Sequence, residues 1–476
     1  MRRLGEAIVS DLNNSRPLDV HVWSEHPEIN ILVDELWARL SYAEDCYSKR
    51  RGPKPKATKK KHFKCLLIDL YVGWKTDPEM YTAVQMSKSG WKANSRYNAL
   101  NLSSKMIEII HGLINGGWLE HHIGFEGRLT RIRPSDKLRF LFSCIDVSRN
   151  EIDFHQNKEM LELRRSKDSN LYGSGKHLEY DDTPETEKMR GLLIRYNKLL
   201  RSQKIELSVI EGDHVKRITS KGHQTGMTQK IYVDRGNLFI KRVFNDGSWK
   251  LGGRFYGGWW QQIPKELRTE IIINGKPTIE IDYKSMHVSL LFALIDHPHE
   301  YDPYDIELEN ELVGRGLDQR SILKKLVLMS INSSSKKKAF SAFRSEYQPG
   351  HPCKRIKNIE LQKLLNAFLT KYPSLEKFMF SGKGLELMFL DSCIAEYVIE
   401  HFTDQNVPVL TMHDSFIISY DKVLELRAVM TEAGNKYAGR FLFTEKSDHG
   451  LDEWYAEYLN TGAAPNFEPK QMGQKS

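Results

Sequence analysis

The strongest constraint on the fold is a pair of aspartates, each placed within or at the end of a strongly apolar segment. In the first segment, residues 278–283, isoleucines alternate with acidic residues, which is typical of a β-strand. An apolar run follows, so we expect a helix to begin just after Asp282. A carboxylate at such a junction is well placed to hold a divalent cation, and the carbonyl of Tyr283 would supply another oxygen ligand.

The second segment, residues 407–418, contains two apolar runs that flank His413 and Asp414. This pattern predicts a buried β-hairpin with Asp414 at or near its tip. A lone carboxylate is expensive to bury unless a metal ion or a charged partner compensates it. Brought together, Asp282 and Asp414 could bind two Mg²⁺ or Mn²⁺ ions about 3.5–4 Å apart, which would activate an attacking hydroxyl and stabilise a leaving phosphate.

A basic helix is predicted between these segments, at residues 319–326. Arg320 and Lys324 are four residues apart and therefore share one helix face, and Lys325 follows directly. A cationic face opposite a carboxylate pair would bind a triphosphate. The alternative is an ordinary solvated basic helix, which would be preferred if this were the only signal.

Residues 252–264 combine four glycines, four aromatic residues and Arg254. Glycines permit a close approach of backbones, and aromatic rings offer stacking surfaces for bases. The segment is therefore a candidate contact for template or primer through Arg254, Trp259 and Trp260. The alternative is a glycine-rich turn with tryptophans in the core.

The N-terminal part of the chain shows a different pattern. Apolar residues recur at helical spacing over residues 106–114, after an N-cap signal at residues 103–104, and Gly116 and Gly117 end the helix. Two short strand patterns follow, separated by a turn at residues 125–128. Helix, strand, glycine turn and strand in this order resemble a winged helix-turn-helix DNA-binding domain.

In such a domain, Ser104 and Lys105 would lie at the N-terminal end of the recognition helix. Arg128, Arg131 and Arg133 would lie on or near the wing, where a phosphate backbone passes. The alternative is a winged helix used for protein contacts, because a fold does not establish a function.

Composition limits the compartment and the partners. The net charge is +8, from 70 Lys and Arg against 62 Asp and Glu, which permits a polyanionic partner. The five cysteines are widely spaced without a CxxC pair, so we expect neither disulfides nor structural zinc, and a reducing, cytoplasmic compartment fits best. No run of 18 apolar residues occurs, so no membrane-spanning helix is expected.

The order and spacing of the segments over residues 252–418 resemble those of family A DNA polymerases and the related single-subunit RNA polymerases of the bacteriophage type. The matches are, in chain order, the template-primer motif (Arg254 and Gln262), motif A (Asp282), motif B (Lys324, with Lys325 as the alternative register) and motif C (His413 and Asp414). Residues 391–396 resemble a further polar element that lines the site in that family. The resemblance implies an α+β right-hand polymerase, with an antiparallel-sheet palm and helical fingers and thumb elements, preceded by the winged helix.

The chain departs from this family at positions that affect nucleotide choice. His287 stands where the DNA polymerases carry a Glu that helps to exclude ribonucleotides, so it is a candidate nucleotide contact. Ser415 follows the motif C aspartate, as in the single-subunit RNA polymerases, and Asn332 is near the position of the motif B aromatic residue. The choice between dNTPs and NTPs, the primer requirement and the template type therefore stay open.

These patterns predict five regions. They are an N-terminal segment with a basic linker (1–61), the winged-helix domain (62–145), a connector with a thumb-like helical region (146–240), the palm with small fingers (241–460) and a disordered tail (461–476). Within the third region we expect a flexible stretch up to residue 185 and then a helix over residues 185–200.

The sequence therefore predicts a metal-dependent, template-directed nucleotidyltransferase that acts on DNA and nucleoside triphosphates, either a family A-like DNA polymerase or a primase-polymerase. The alternative is a non-catalytic winged-helix DNA-binding protein of replication or regulation with a degenerate polymerase scaffold. Retention of both aspartates and the basic pair argues against that alternative. A two-metal nuclease ranks last, because it needs more carboxylates, for which Glu280 and Asp391 are the candidates.

Overall fold

A computed structural model describes residues 12–47, 56–125, 127–165, 176–208, 214–218, 228–233, 236, 238–298, 301–306 and 316–446. The chain folds into two compact units, Met1–Glu159 with Asp234–Gly236 and Met160–Val233 with Asn237–Ser476. The architecture is mixed α+β, as predicted at that level. The predicted tail and part of the basic linker lie outside the described residues. Within the described ranges, no helix is long and apolar enough to cross a membrane.

The first unit combines helices with a four-stranded sheet. Its helices are α1 (Pro27–Tyr47), α2 (Lys56–Thr76), α3 (Lys105–Asn115) and α4 (Asp136–Ser143). Its strands are β1 (Ser15–Pro17), β2 (Val22–Trp23), β3 (Tyr81–Val84), β4 (Leu119–His122), β5 (Thr130–Pro134) and β6 (Asp153–Phe154). The main sheet has the order β1-β3-β5-β4, and β2 pairs with β6.

Helix α3 and the β4–β5 hairpin confirm the predicted local elements of this unit. Met106, Ile110 and Leu113 are fully buried, as their helical spacing requires. The helix ends where Gly117 takes a φ of +68°, a conformation that glycine adopts without strain. Strands β4 and β5 are antiparallel, and the Arg128 N–H closes the turn between them on the Phe125 carbonyl at 2.9 Å.

The predicted boundary at residue 62 does not coincide with a boundary of the unit, because the N-terminal segment belongs to the same core. Strand β1 pairs in parallel with β3, and α1 and α2 bury a common set of apolar side chains. The Arg16 guanidinium lies 2.6 Å from the buried Asp69 carboxylate, an ion pair between residues far apart in sequence. Sequence spacing carries no signal for such a contact.

The second unit contains the remaining elements. Its helices are α5 (Pro184–Ser202), α6 (Met286–Leu294), α7 (Gln319–Asn332), α8 (Lys336–Ser345), α9 (Asn358–Lys371), α10 (Gly384–Asp404) and α11 (Val423–Ala438). Its strands are β7 (Leu161–Leu163), β8 (Ile205–Leu207), β9 (His214–Ile218), β10 (Thr228–Tyr232), β11 (Lys241–Phe244), β12 (Gly252–Tyr256), β13 (Ile271–Ile273), β14 (Lys276–Tyr283), β15 (Val409–Met412), β16 (Ser415–Ser419) and β17 (Thr444–Lys446).

The central sheet of this unit has the order β15-β16-β14-β13-β8, and β17 pairs with β14. All of these pairings are antiparallel. Ile281 lies directly opposite Phe416, and Ile279 opposite Ile418, so these buried side chains share the face that packs into the core. The predicted strand over residues 278–283 and the predicted hairpin are both present.

The stretch predicted as a flexible connector is partly structural. Strand β7 pairs in parallel with β11 in a sheet of order β12-β11-β7, and Leu161 is fully buried. Strand β7 has only three residues, which are too few to show a strand period in the sequence. Its burial depends on β11, a partner strand about eighty residues later in the chain. Helix α5 confirms the helix predicted over residues 185–200, and residues 166–175 lie outside the described part of the chain.

Strand β12 packs closely on helix α10 through Gly253. A Cβ atom at this position would lie 2.7 Å from the Phe244 ring and 2.8 Å from the Ser392 hydroxyl. The backbone φ of Gly253 is +81°, in the left-handed region. The glycine thus permits a close approach of a helix of this chain, and not of a nucleic-acid backbone as the sequence indicated.

We expect Gly253→Ala to lower the free energy of unfolding by about 3 kcal/mol, because left-handed strain and steric crowding add. The matched control is Gly275→Ala, which has a φ of +79° and open space around the new methyl group. The control should lose only about 1 kcal/mol. Urea denaturation of the two variants measures the difference, and equal losses would contradict the close packing of β12 on α10.

Candidate functional site

The structure brings Asp282 and Asp414 to the same end of the central sheet. Asp282, near the end of β14, lies opposite Ser415, the first residue of β16. His413 and Asp414 form the turn of the β15–β16 hairpin, in which His413 has a φ of +62°. The Tyr283 N–H donates to the Asp414 carbonyl at 3.2 Å, which ties the turn to the end of β14.

Asp282 is poorly compensated. Its Oδ1 atom is buried and has no hydrogen-bond partner among the described residues. Burial, and then the negative charge of Asp414, raise the pKa of Asp282 to about 8. Lys324 acts in the opposite direction, so this lysine lies close enough to the carboxylate to stabilise its charged form.

Two glutamates lie beside the pair, but each already has a partner. Glu280 shares the strand face of Asp282, accepts a hydrogen bond from the Ser415 hydroxyl at 2.7 Å and lies 3.3 Å from Arg268. Glu445, in β17, lies directly opposite Asp282 and 3.2 Å from the Lys284 ammonium. In the described part of the chain, Asp282 and Asp414 have no ion pair of this kind.

This arrangement fits a divalent cation. An orphaned carboxylate oxygen beside a second carboxylate is the donor set that Mg²⁺ binds through one or two protein ligands, with water and substrate phosphates as the others. Among the described residues, no group of three or more His, Cys, Asp or Glu side chains is placed so that it could hold a metal ion. Asp282, with its orphaned oxygen, and Asp414 in the adjoining turn are the residues that would hold it. The carbonyl of Tyr283 stays a predicted ligand, while its side chain lies in the core, where its hydroxyl donates to the Met430 carbonyl at 2.6 Å.

A buried charge cluster lies near the hairpin turn. Arg254 Nε donates to both carboxylate oxygens of Asp391 at 3.0 Å, and the Asp391 side chain is wholly buried in α10. The same carboxylate lies 3.1 Å from His287 Nε2, and Arg254 Nη2 is 3.1 Å from that ring nitrogen. Although burial disfavours the charge, Asp391 raises the pKa of Arg254.

This cluster changes the assignments made from the sequence. His287 is held by Asp391 and Arg254, and Arg254 is held by Asp391, so neither side chain projects freely towards a substrate. His413 lies nearby, with its ring 5.2 Å from that of Tyr256. Burial, and then the charge of Arg254, lower the pKa of His413, which keeps its imidazole neutral at pH 7.

The basic helix α7 divides its cations between two surroundings. Arg320 is exposed and donates to the Asp302 carboxylate at 2.6 Å, while Lys324 is exposed one turn later. Lys325 points elsewhere, with its ammonium 4.2 Å from the centre of the Tyr347 ring. Of the two registers considered for motif B, Lys324 is the one whose charge acts on Asp282.

The two tryptophans of the glycine-rich segment belong to the core. Trp259 and Trp260 are both 0% exposed, so they offer no stacking surface for bases. Trp260 Nε1 donates to the Thr411 carbonyl at 2.8 Å, and the Gln261 amide donates to the same oxygen at 2.9 Å. The neighbouring Gln262 contributes its carbonyl to Arg217. The prediction that Trp259 and Trp260 contact template or primer is therefore corrected, because aromatic composition cannot separate a stacking surface from a packed core.

The cations assigned to the first unit differ in their freedom. Arg128 is exposed in the turn of the β4–β5 hairpin. Arg131 is half-buried and donates to the Leu129 carbonyl at 2.8 Å. Arg133 lies 2.6 Å from both Glu79 and Glu120, so its charge is already neutralised.

Ser104 is the N-cap residue of α3, but its side chain makes no capping hydrogen bond. Lys105, the first residue of that helix, is partly exposed. Among these five predicted nucleic-acid contacts, Lys105, Arg128 and Arg131 are the cations without a carboxylate partner in the described part of the unit, and Arg128 is the exposed one.

Arg242 is a central residue that the sequence did not reveal. It is 1% exposed, and its Nε donates to the Gly253 carbonyl at 2.9 Å. Its Nη2 donates to the Ser392 hydroxyl at 3.2 Å, and its Nη1 lies 2.9 Å from Glu396. Arg242 therefore joins β11, β12 and α10 directly behind the Arg254–Asp391 pair. In sequence it is one cation in a short strand, without any spacing signal.

Comparisons with known proteins add no assignment. No protein-family model matches the chain, and a comparison with curated proteins finds no match.

We expect Asp391→Ala to lower the free energy of unfolding by about 3–5 kcal/mol, because it leaves the Arg254 charge without its partner. Asp404→Ala, at the end of the same helix, is the matched control, since Asp404 pairs with Arg195 at 3.3 Å on the surface. The control should change stability by about 0.5 kcal/mol or less. Chemical denaturation measures the loss of unfolding free energy in both variants. Similar losses would contradict a larger contribution from the buried Arg254–Asp391 pair.

Asp282 makes stability depend on pH when a chelator removes divalent cations. Its pKa rises from an ordinary 3.8 to about 8 on folding, so the folded state retains a proton that the unfolded state loses. The stabilisation is complete below about pH 4 and is lost as pH rises towards 8. Asp282→Asn should therefore be more stable than the wild type at pH 8 by on the order of 2 kcal/mol, and not at pH 4. Identical pH profiles for both proteins, by thermal or urea unfolding, would refute this.

Proposed function

We propose that this protein is a metal-dependent, template-directed nucleotidyltransferase that acts on nucleic acid, of the family A-like DNA polymerase or primase-polymerase type. The observation that carries the proposal is the Asp282–Asp414 pair at the end of the central sheet, with an orphaned carboxylate oxygen and an exposed lysine close by. Paired carboxylates opposite a cationic helix are the elements that phosphoryl transfer uses, since it depends on positioning and on charge stabilisation.

Each residue has a distinct role in this proposal. Asp282 and Asp414 hold Mg²⁺ or Mn²⁺, which when bound supplies Lewis-acid stabilisation of the attacking and leaving oxygens. Lys324 neutralises the triphosphate and also offsets the charge of Asp282 before substrate arrives. Arg320 contributes a second cation after exchanging Asp302 for a phosphate oxygen.

The buried cluster behind the turn positions the site. Asp391 fixes the Arg254 guanidinium, and burial together with the charge of Arg254 lowers the pKa of His413 beside Asp414. A neutral His413 can donate one hydrogen bond towards a primer or phosphate without competing for the metal charge. Arg254 and His287 thus act as positioning residues in this proposal, rather than as direct substrate contacts.

The architecture supports the same proposal. An antiparallel sheet that bears the aspartates, backed by α6, α10 and α11, is compatible with a polymerase palm, and α7–α9 between β14 and β15 are compatible with small fingers. In the first unit, the order α2, β3, α3, β4, β5 with a β3-β5-β4 sheet is compatible with a winged helix. We propose that this unit binds DNA, with Arg128 on the wing and Lys105 at the start of α3.

The test is nucleotide incorporation on a primed DNA template with Mg²⁺ or Mn²⁺, with dNTPs and NTPs supplied separately. Asp282→Ala and Asp414→Ala should each reduce incorporation by about 10³-fold or more, because each removes a ligand of the metal ions that would stabilise the transition state. Asp404→Ala, an exposed aspartate on α10, is the control and should retain full activity. The nucleotide that the wild type prefers also decides between dNTPs and NTPs, the choice left open by His287.

A second readout separates catalysis from metal binding. Titration with Mn²⁺, followed by its electron paramagnetic resonance signal, should show binding to the wild type and loss in Asp282→Ala. Incorporation that survives in both aspartate variants would sink the proposal. Absence of metal binding and of incorporation in the wild type would instead favour the non-catalytic winged-helix DNA-binding protein.

A further inference from the structure

Helices α8 and α9 border an open groove of about 970 Å³ in the second unit. The side chains that matter for its chemistry are Lys336, Lys337, Arg344, Lys354, Asn358 and Ile359. No carboxylate lines this groove in the described part of the chain. The groove is thus lined by cationic and polar side chains together with two apolar ones, Phe340 and Ile359.

Positive charge is dense in the sequence around this groove. Residues 336–363 contain eight Lys and Arg against two Glu, whereas the whole chain of 476 residues has a net charge of only +8. Among the described residues, Lys336, Lys337 and Lys354 make no ion pair. A positive field of this density attracts a polyanion, because like charges on one surface focus the potential.

The lysines at the start of α8 lie at the end of the helix where a positive charge is electrostatically unfavourable. Lys336, Lys337 and Lys338 form the first turn of α8, where the helix dipole disfavours cations. The helix does not need them to begin, since the Ser335 hydroxyl accepts from the Lys338 N–H and caps it. Folding therefore gives no reason for this cluster, whereas an anionic partner would neutralise it.

The groove also has a fixed wall. Arg344 donates to the Ile356 carbonyl at 2.8 Å and to the Asn358 side-chain oxygen at 2.6 Å, so its guanidinium is held in place without a carboxylate. Ile359 is 62% exposed at the start of α9 and offers an apolar contact. Cations beside an apolar side chain match a flexible strand that presents phosphates and unstacked bases together.

We propose that the α8–α9 groove binds single-stranded nucleic acid independently of its sequence, through phosphate contacts to Lys336, Lys337 and Lys354 and through base contact with Ile359. A duplex hides its bases and presents a convex phosphate surface, so it would reach the lysines but not use the concave groove. This site is separate from the aspartate pair, and it holds whether or not that pair is catalytic.

The test is the binding of a fluorescent oligothymidine of about 20 nucleotides, long enough to span a single-strand site, followed by anisotropy in a chelator. Lys336→Gln/Lys337→Gln should weaken binding about tenfold. It should also reduce the slope of log affinity against log salt by about 1.4, because each lost phosphate contact removes about 0.7. The matched control is Lys188→Gln/Lys198→Gln, which removes two exposed lysines of α5 and should leave affinity and slope unchanged.

A third variant distinguishes base contact from phosphate contact. Ile359→Gln should weaken oligothymidine binding several-fold while the salt slope stays the same, since no charge changes. Equal losses in the two double-lysine variants, or no binding by the wild-type chain, would overturn the site. Tighter binding of a duplex of the same length, lost in Lys336→Gln/Lys337→Gln, would overturn the assignment to a single strand. Because the chelator removes catalysis, failure here is distinct from failure of nucleotide incorporation.

Discussion

The antiparallel register of β14 against β16 is the constraint on which the rest of the second unit depends. With Asp282 opposite Ser415, Ile281 meets Phe416 in the core, and Glu280 lies on the other face, where Arg268 and the Ser415 hydroxyl reach it. A shift by one residue would move every side chain of β14 to the opposite face. The apolar core and the position of the aspartates are thus set by the same hydrogen bonds.

Charge compensation explains why the candidate site lies where it does. Three buried or nearly buried ion pairs surround it, namely Arg242–Glu396, Arg254–Asp391 and Arg268–Glu280. Each places an arginine against a carboxylate, which removes the large penalty of an isolated buried charge. The Asp282–Asp414 pair differs because the lysine that acts on Asp282, Lys324, is exposed to solvent. A divalent cation would neutralise the charge of Asp282 and Asp414, as arginines neutralise the neighbouring carboxylates.

Local patterns in the sequence were reliable where one element decides the outcome. The hairpin around His413 and Asp414, the strand over residues 278–283 and the helices α3 and α5 follow from apolar period and capping. The sequence did not indicate the correct role of residues that pack between two elements. Trp259 and Trp260 were candidates for base stacking, yet they lie in the core, and Gly253 was a candidate for backbone approach to nucleic acid, yet it accommodates α10. In both cases the residue type was informative, but the partner was not encoded nearby.

The sequence by itself determined the α+β composition, the local strands that carry Asp282 and Asp414, and the cationic face shared by Arg320 and Lys324. These features depend on periods of two and of 3.6 residues, which are readable along one segment. Only the tertiary structure decided that the carboxylate of Asp391, 137 residues away, fixes Arg254, that Arg242 joins two strands to α10, and that Glu445 lies opposite Asp282. Such contacts form because distant segments must bury charge together, and a single sequence contains no period from which their pairing can be read.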